Sequence, residues 1–230
     1  MTEHKKDNLD LDAALANTTH QVEDFYTKNK KNINTALLAV VVVLAGYFGY
    51  KKFIVEPKEQ EAQIEIFKAQ HLFEIDSFNL ALKGDGKFKG FATIADEYSG
   101  TKAGNLAHYY AGVCMLRTGD YAGAVDMLEG FNSDNALIGP LAAGLLGDAY
   151  VESGDVEKGA KQYMKAARMS KNKATTPVFF KKAGIAFEEL KNYSDAVDAY
   201  TNIKNDYADT PEGADIDKYI ARASALKEAN

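Results

Sequence analysis

The sequence is poor in the residues that build disulfides and metal sites. It has one cysteine, Cys114, among 230 residues, so an internal disulfide is excluded. Cys114 falls inside a predicted helix, where we interpret it as a small buried hydrophobe and not as a reactive thiol. The four histidines are scattered, without a second ligand at a suitable spacing. We therefore expect no metal and no cofactor.

Basic charge and catalytic motifs are also missing. The formal net charge of −6 argues against nucleic-acid binding, which would require a basic stripe. The sequence has no Gly-x-Ser-x-Gly, no Walker loop and no Cys-x-x-Cys. These absences predict that the protein is not an enzyme.

Proline is scarce, with four residues in the chain, and we expect all of them to lie outside the repeat helices described next. Hydrophobic residues make up 46% of the sequence, which is enough for a packed core. This composition favours an ordered helical protein.

One pattern occurs three times in the second half of the chain, with its turn recurring after 35 and then after 37 residues. A small residue, an aromatic or large apolar residue and a short turn in fixed order at this period are typical of tetratricopeptide repeats. Such repeats build binding surfaces. The copies place Gly112, Gly119, Asp120, Ala124 and Leu128 in the first repeat, Gly147, Gly154, Asp155, Gly159 and Tyr163 in the second, and Gly184, Lys191, Asn192, Ala196 and Tyr200 in the third.

The mid-helix glycines of this pattern each cost about 1 kcal/mol against alanine. Their recurrence at one repeat position predicts close helix packing, with Ala124, Gly159 and Ala196 as the facing small residues. Asp155 is expected to lie in a solvated turn.

The sequence therefore predicts an all-α fold, with a single N-terminal transmembrane helix followed by a tetratricopeptide-repeat solenoid. The predicted segments are a cytosolic tail at 1–31, a transmembrane helix at 32–55 and a solenoid at 58–230. The solenoid comprises a divergent first repeat at 58–100, repeats at about 103–131, 136–169 and 176–207, and a capping helix at 214–229.

Two helices carry specific expectations about their buried faces. From Lys58, the large apolar residues Ile64, Phe67, Leu72, Ile75, Phe78 and Leu82 follow a 3.6-residue period and predict one long amphipathic helix. The capping helix is expected to turn Ile216, Tyr219, Ile220 and Leu226 inward.

Residues 32–50 contain no charge and read as a membrane-spanning helix. Nineteen residues at about 1.5 Å each reach roughly 28 Å, close to the roughly 30 Å of a hydrocarbon core. A cleaved signal peptide is the alternative, but about 30 residues precede the apolar run and Lys51-Lys52 follow it without Ala-x-Ala. A buried core helix is a further alternative. We interpret 32–55 as an uncleaved segment that contacts the lipid bilayer.

Lysines on both sides of this segment give a slight preference for a cytoplasmic N terminus. Ala45 and Gly49 form a small-x-x-x-small pair, which is either a weak homodimer seam or a matter of composition. The tail carries a loose apolar stripe, Leu9 to Phe25, which indicates either an amphipathic helix or a fraying segment.

In this repeat type the first helix of each pair lines the concave face, and the recurrent glycine sets the register. The predicted protein-binding groove mixes aromatic, apolar and charged residues, which suits an extended peptide or a partner loop. Its acidic residues argue against a clamp for an acidic C-terminal tail. The predicted groove residues are Tyr109, Val113, Arg117, Asp148, Glu152, Lys181, Ile185 and Glu188, with Gly144 among them.

The order of parts, together with residues 76–86 and 101–107, resembles the YfgM-like ancillary subunits of the Sec translocon found in Bacteroidetes-type bacteria. The resemblance implies a single-pass inner-membrane protein with periplasmic repeats. Its implied partners are Sec translocon subunits, periplasmic chaperones or exported chains, and its implied role is in protein transport, chaperone work or quality control. No catalytic residues come with the resemblance.

Two functions therefore remain open at this point. The first is a membrane-anchored binding module that serves protein export or periplasmic quality control. The second is a structural scaffold of a cell-envelope or secretion complex.

Overall fold

The computed structural model describes residues 3–169 and 171–229, with side chains from residue 27 onward. It divides into two compact units, residues 1–57 and 58–230. The side chains behind the tail stripe, Leu9 to Phe25, lie outside the described residues.

The first unit is helical. Helix α1 covers Glu3–Tyr50, and a π-helical turn covers Lys51–Val55. Among the described residues, one helical stretch is long and apolar enough to cross a membrane. It is Thr27–Glu74, which begins within α1. Its most apolar 18 residues have a mean hydropathy of 1.8, and none of them is buried. The expected N-terminal apolar helix is thus present, although a signal sequence would meet the same criteria of length and composition.

The second unit is a series of helices in which each packs on the next in sequence from α4 to α11. Its described residues contain no β-strand, and Gly84 and Lys89 form an isolated bridge. The all-α prediction is therefore confirmed for the described chain. The helices are α2 Glu56–Glu74, α3 Phe78–Lys83, α4 Phe91–Glu97, α5 Lys102–Thr118, α6 Tyr121–Glu129, α7 Ile138–Glu152, α8 Val156–Met169, α9 Thr176–Glu189, α10 Tyr193–Asp206 and α11 Ile216–Glu228.

The recurrent glycines lie where the two helices of a pair come closest. A Cβ built on Gly112 would lie 2.5 Å from the Leu128 side chain. A Cβ on Gly147 would lie 2.6 Å from the Tyr163 ring, and one on Gly184 would lie 2.3 Å from the ring of Tyr200. The predicted close packing is confirmed, because a large residue of the second helix covers each glycine of the first.

The turns between paired helices share one backbone conformation. Gly119 and Gly154 adopt positive φ angles of 83° and 93°, and Lys191 adopts 58° at the matching place. Asp155, the residue after Gly154, caps α8: its carboxylate accepts a hydrogen bond of 3.1 Å from the Lys158 backbone N–H. Asp155 lies in the turn as expected, with its side chain 39% exposed, and the cap is a contact that the sequence analysis did not predict.

The α2 region corrects two expectations. The predicted long helix is broken: α2 ends at Glu74, and Asp76 takes a φ of 57° before α3 begins. The predicted buried face is only partly right: Leu82 is buried and Leu72 and Phe78 pack against the core, but Ile64 is 63% exposed and Phe67 is 72% exposed. Small residues contribute most of the buried stripe, which is Ala62, Ile66 and Ala69. Helix α2 therefore turns Ala62, Ile66 and Ala69 toward the core, with Leu72 and Phe73 half-buried near its C-terminal end.

Two smaller expectations are also corrected. Pro140 and Pro177 lie within the first turns of α7 and α9, where the missing N–H needs no helical partner. In α11, Ile216 and Ala223 are buried, whereas Leu226 remains 39% exposed.

Candidate protein-binding groove

A cavity of about 530 Å³ opens along the first helices of the repeats, and we call it the inner groove. Helices α5 and α7 supply most of its wall, and α6, α8 and α9 supply one residue each. The lining residues are Val113, Leu116, Arg117, Tyr121, Leu145, Asp148, Val151, Glu152, Tyr163 and Lys182.

The floor of the inner groove is apolar and its rim is charged. Val113 is buried, and Leu116, Leu145 and Val151 are half-buried beside it. Arg117 and Glu152 are exposed, and the described residues offer neither of them an ion pair. The Arg117 guanidinium lies 6.0 Å from the centre of the Phe78 ring. An incoming chain thus meets apolar surface flanked by one free cation and one free anion.

The acidic residue inside the groove is already partnered. The Lys182 ammonium lies 2.7 Å and 3.0 Å from the two carboxylate oxygens of Asp148. The Tyr163 hydroxyl donates a hydrogen bond of 2.6 Å to the same carboxylate. Burial first, and then this hydrogen bond to Asp148, raise the pKa of Tyr163 well above its ordinary value. Asp148 therefore joins α7, α8 and α9 to one another.

A second, smaller cavity of about 260 Å³ shares Leu145, Asp148 and Lys182 with the inner groove. Val178 and Phe179 of α9 add apolar surface to it. The two cavities together carry the groove from α5 past α7 to the beginning of α9.

Further along α9 the surface is covered by α11. The Arg222 guanidinium makes two hydrogen bonds of 2.9 Å to the carboxylate of Glu188. The Tyr200 hydroxyl also donates to Glu188, at 2.9 Å. Lys181 pairs with Asp215 at 3.2 Å. We call this arrangement the α11 clasp.

The two ion-pair clusters follow the repeat period. Asp148 and Lys182 are 34 residues apart, and so are Glu188 and Arg222. In both clusters a tyrosine of the second helix of a repeat donates a hydrogen bond to an acid of the first helix. A base from the helix that follows, Lys182 of α9 or Arg222 of α11, pairs with the same acid. Helices of successive repeats are thus linked by charge as well as by packing.

The structure brings together only part of the predicted groove. Val113, Arg117, Asp148 and Glu152 line the inner groove. Lys181 and Glu188 belong to the α11 clasp, and Ile185 is 47% exposed near them.

Two predicted positions lie elsewhere. The Tyr109 ring packs against Phe131, with a centroid distance of 5.4 Å. A Cβ on Gly144 would lie 2.0 Å from the Phe179 ring, so Gly144 belongs to the contact between α7 and α9.

Several residues of the inner groove were not predicted from the sequence. Lys182 and Tyr163 were not assigned to the groove because the recurrent glycine shows which residues of one helix share a face. It does not show which residues of different helices contact each other. The 34-residue separation of opposite charges is the signal that would have identified Lys182. Leu116 and Leu145 lie beside the predicted stripe, each next to a predicted position in the helix.

Reactive chemistry gains no support from the described residues. Burial raises the pKa of the Cys114 thiol to about 12, so the thiolate is scarce at neutral pH. No group of three or more histidine, cysteine, aspartate or glutamate side chains in the described chain is arranged to hold a metal.

A family model for the tetratricopeptide repeat matches residues 106–134 and 180–210. The first match covers most of α5 with α6, and the second covers the end of α9 with α10. The chain therefore contains tetratricopeptide repeats, which serve as protein-interaction modules. A comparison with curated proteins gives no match.

Proposed function

We propose that this protein is a membrane-anchored binding module whose inner groove receives segments of other proteins during export or quality control at the bacterial inner membrane. Its partners in this proposal are Sec translocon subunits, periplasmic chaperones or exported chains. The resemblance of its architecture to Sec-associated subunits supports this assignment, and so does the apolar N-terminal helix.

The observation that carries the proposal is the composition of the inner groove. Its volume of about 530 Å³ lies within the range of roughly 300–1,000 Å³ that is usual for ligand clefts. Val113, Leu116 and Leu145 offer apolar contact to a bulky side chain. Arg117 and Glu152 remain free to pair with either charge, which suits varied partner sequences better than one fixed motif.

Orientation is part of the proposal. A cytoplasmic N terminus and periplasmic repeats place the groove where exported chains emerge. Glu228→Cys puts an exposed thiol in α11, whereas the native Cys114 is buried. Glu228→Cys should react with a membrane-impermeant thiol reagent in intact spheroplasts, and the parent protein should not. Labelling only after lysis would indicate that the repeats are cytoplasmic, which would contradict a periplasmic role.

Site-specific crosslinking tests the partner. A photo-reactive amino acid at Arg117 reports on the groove, and one at Lys171, which is exposed outside it, serves as the matched control. We expect crosslinks from position 117 to many nascent chains and to translocon subunits after gentle solubilisation. Equal crosslinking from both positions would remove the groove from the proposal.

The same experiment separates the scaffold alternative. A single stoichiometric envelope partner at position 117 would favour a structural scaffold. The Arg117→Ala/Glu152→Ala variant can be compared with a variant whose N-terminal helix is replaced by that of another membrane protein. If the first variant retains its partners fully and the second loses them, the N-terminal helix and not the groove makes the contact.

A further inference from the structure

Helix α8 carries a row of cations on the side away from its buried residues. Lys158, Lys161, Lys165 and Arg168 recur at helical spacing, and all four are exposed. The buried residues of α8 are small or aromatic and face the neighbouring helices. A chain with a net charge of −6 thus gathers positive charge on one helix face.

Two of these four cations make weak ion pairs, and the other two make none. Lys158 pairs with Asp155 at 3.0 Å, and Lys161 pairs with Glu157 while both side chains remain 66% exposed. Such exposed pairs contribute little and exchange readily with other ligands. Lys165 and Arg168 form no ion pair with the described residues.

A cleft of about 580 Å³ separates this row from α10, and we call it the outer cleft. Its basic wall is Lys161, Lys165 and Arg168, and its acidic wall is Asp195 and Asp198. Met164, Met169 and Phe187 contribute the apolar surface between the walls.

The two walls do not neutralise each other. No ion pair joins α8 to α10 among the described side chains, although opposite charges line the same cleft. Asp195 makes local hydrogen bonds with Asn192 at the start of α10, and Asp198 has no cationic partner there. The gap between the walls leaves space for an inserted element that pairs with both.

We propose that the outer cleft binds an amphipathic helix of a partner protein, with apolar residues in its centre, acidic residues along one edge and basic residues along the other. The acidic edge pairs with Lys165 and Arg168, and the basic edge pairs with Asp195 and Asp198. This surface is separate from the inner groove and gives the repeats a second binding face.

The length of the basic wall matches the contact that a docked helix makes. From Lys161 to Arg168 the basic wall spans seven residues, about 10.5 Å or two helical turns at 1.5 Å per residue. Helices that dock in grooves use apolar anchors three, four and seven residues apart, which is the same length. The two methionines of the floor are flexible and adapt to different apolar anchors.

The acidic wall excludes simpler occupants. A uniformly anionic surface, such as a phospholipid headgroup layer or a nucleic acid, would gain from α8 but be repelled by Asp195 and Asp198. A uniformly cationic segment would meet the opposite conflict. Like charges brought together in this way disfavour the wrong partner.

The test uses the full chain in amphipol and three 14-residue helical peptides with the same central leucines. The mixed peptide has glutamate along one edge and lysine along the other, and the two controls have glutamate or lysine along both edges. The wild-type protein should bind the mixed peptide at least tenfold more tightly than either control, after binding to empty amphipol is subtracted. Equal affinity for all three peptides would overturn the proposal.

A charge reversal should then switch the preference. Lys165→Glu/Arg168→Glu leaves Lys161 as the one cation of the α8 wall and gives that wall a net negative charge, so this variant should prefer the lysine-edged peptide. Lys87→Glu/Lys218→Glu changes the net charge equally at exposed positions away from the cleft and should keep the wild-type order. Unchanged helicity in circular dichroism verifies folding. If the double reversal keeps the wild-type order, the cleft does not bind the peptide.

Two further outcomes assign the peptide elsewhere and contradict the proposal. Loss of binding in Arg117→Ala/Glu152→Ala would place the peptide in the inner groove. A wild-type dimer that dissociates in the Lys165→Glu/Arg168→Glu variant would identify a second copy of this chain as the occupant.

Discussion

The two ends of the repeat array have the same packing between paired helices but differ in how much of the first-helix surface is accessible. At the end formed by α5 and α7, the inner groove is open, with Arg117 and Glu152 free at its rim. At the end formed by α9, the α11 clasp engages Lys181 and Glu188 through Asp215 and Arg222. The repeat pattern alone therefore does not define the binding surface, because the helix that follows the last repeat decides how much of it stays accessible.

The largest expected effect concerns what the two ends share. Gly147→Leu and Gly184→Leu should each lower the free energy of unfolding by about 3 kcal/mol or more, because the new side chains would overlap Tyr163 and Tyr200. Ala122→Leu adds the same residue at an exposed position of α6 and should change stability by less than about 0.5 kcal/mol. Chemical unfolding of the detergent-solubilised chain measures all three. A tolerated leucine at only one of the two glycines would show that the ends are packed differently.

The α11 clasp should contribute more than its counterpart in the inner groove. Arg222→Ala leaves the Glu188 carboxylate, 14% exposed, without its bidentate partner, and should cost about 1–2 kcal/mol. Lys182→Ala removes the ion pair with Asp148, whose side chains are 40% and 30% exposed, and should cost less than about 1 kcal/mol. Melting curves compare the variants, and Arg222→Lys should recover only part of the loss. Equal costs at the two sites would mean that α11 does not close its end more firmly.

The turns offer a smaller comparison of the same two ends. Lys191 holds a positive φ of 58° where Gly119 and Gly154 have no side-chain conflict. Lys191→Gly should therefore stabilise the protein by about 0.5–1 kcal/mol, and Gly154→Ala should destabilise it by a similar amount. Thermal unfolding reports both shifts. A destabilised Lys191→Gly variant would mean that the lysine side chain makes a contact that outweighs the backbone strain.

The smallest effect depends on pH and involves the junction of α6 and α7. The hydrogen bond from Tyr150 to Glu129, followed by burial, raises the pKa of Tyr150 to about 12. Because the ordinary pKa of tyrosine is about 10, this bond adds stability that is complete below about pH 10 and is lost as the pH rises to about 12. Tyr150→Phe should lose less stability than the wild type over this interval in alkaline unfolding. If the stabilities of the two proteins fall in parallel between about pH 10 and about pH 12, the Tyr150 hydroxyl does not contribute to the stability of the fold.

Much of the fold was predictable because the pattern is periodic and its spacing reports backbone conformation. The three mid-helix glycines identified the close helix contacts, and the turn residues identified where the paired helices are joined. The α2 face was not predictable in the same way. Periodicity treats all large apolar residues alike, but Leu72 and Phe73 pack against the core beside the buried Ala62 and Ala69, whereas Ile64 and Phe67 stay exposed. The break at Asp76 lacks the glycine or proline that would signal it.

The candidate site was predictable only one helix at a time. Four predicted residues do line the inner groove, since a helical register places them on one stripe. The cationic partners of Asp148 and Glu188 come from other helices, and each lies 34 positions further along the chain. A register derived from one helix cannot show that α11 lies over α9.

The charge links between repeats also determine where the chain tolerates a change of length. Asp148 and Lys182 point toward each other because α7 and α9 have fixed rotational phases, and a residue inserted within either helix ahead of its charged member would turn that member by about 100°. An insertion at residues 171–174, between α8 and α9, leaves both phases unchanged. Insertions and deletions in related sequences are therefore expected in that loop and not inside α7 or α9, so natural length variation would reveal the same constraint that the ion pairs impose.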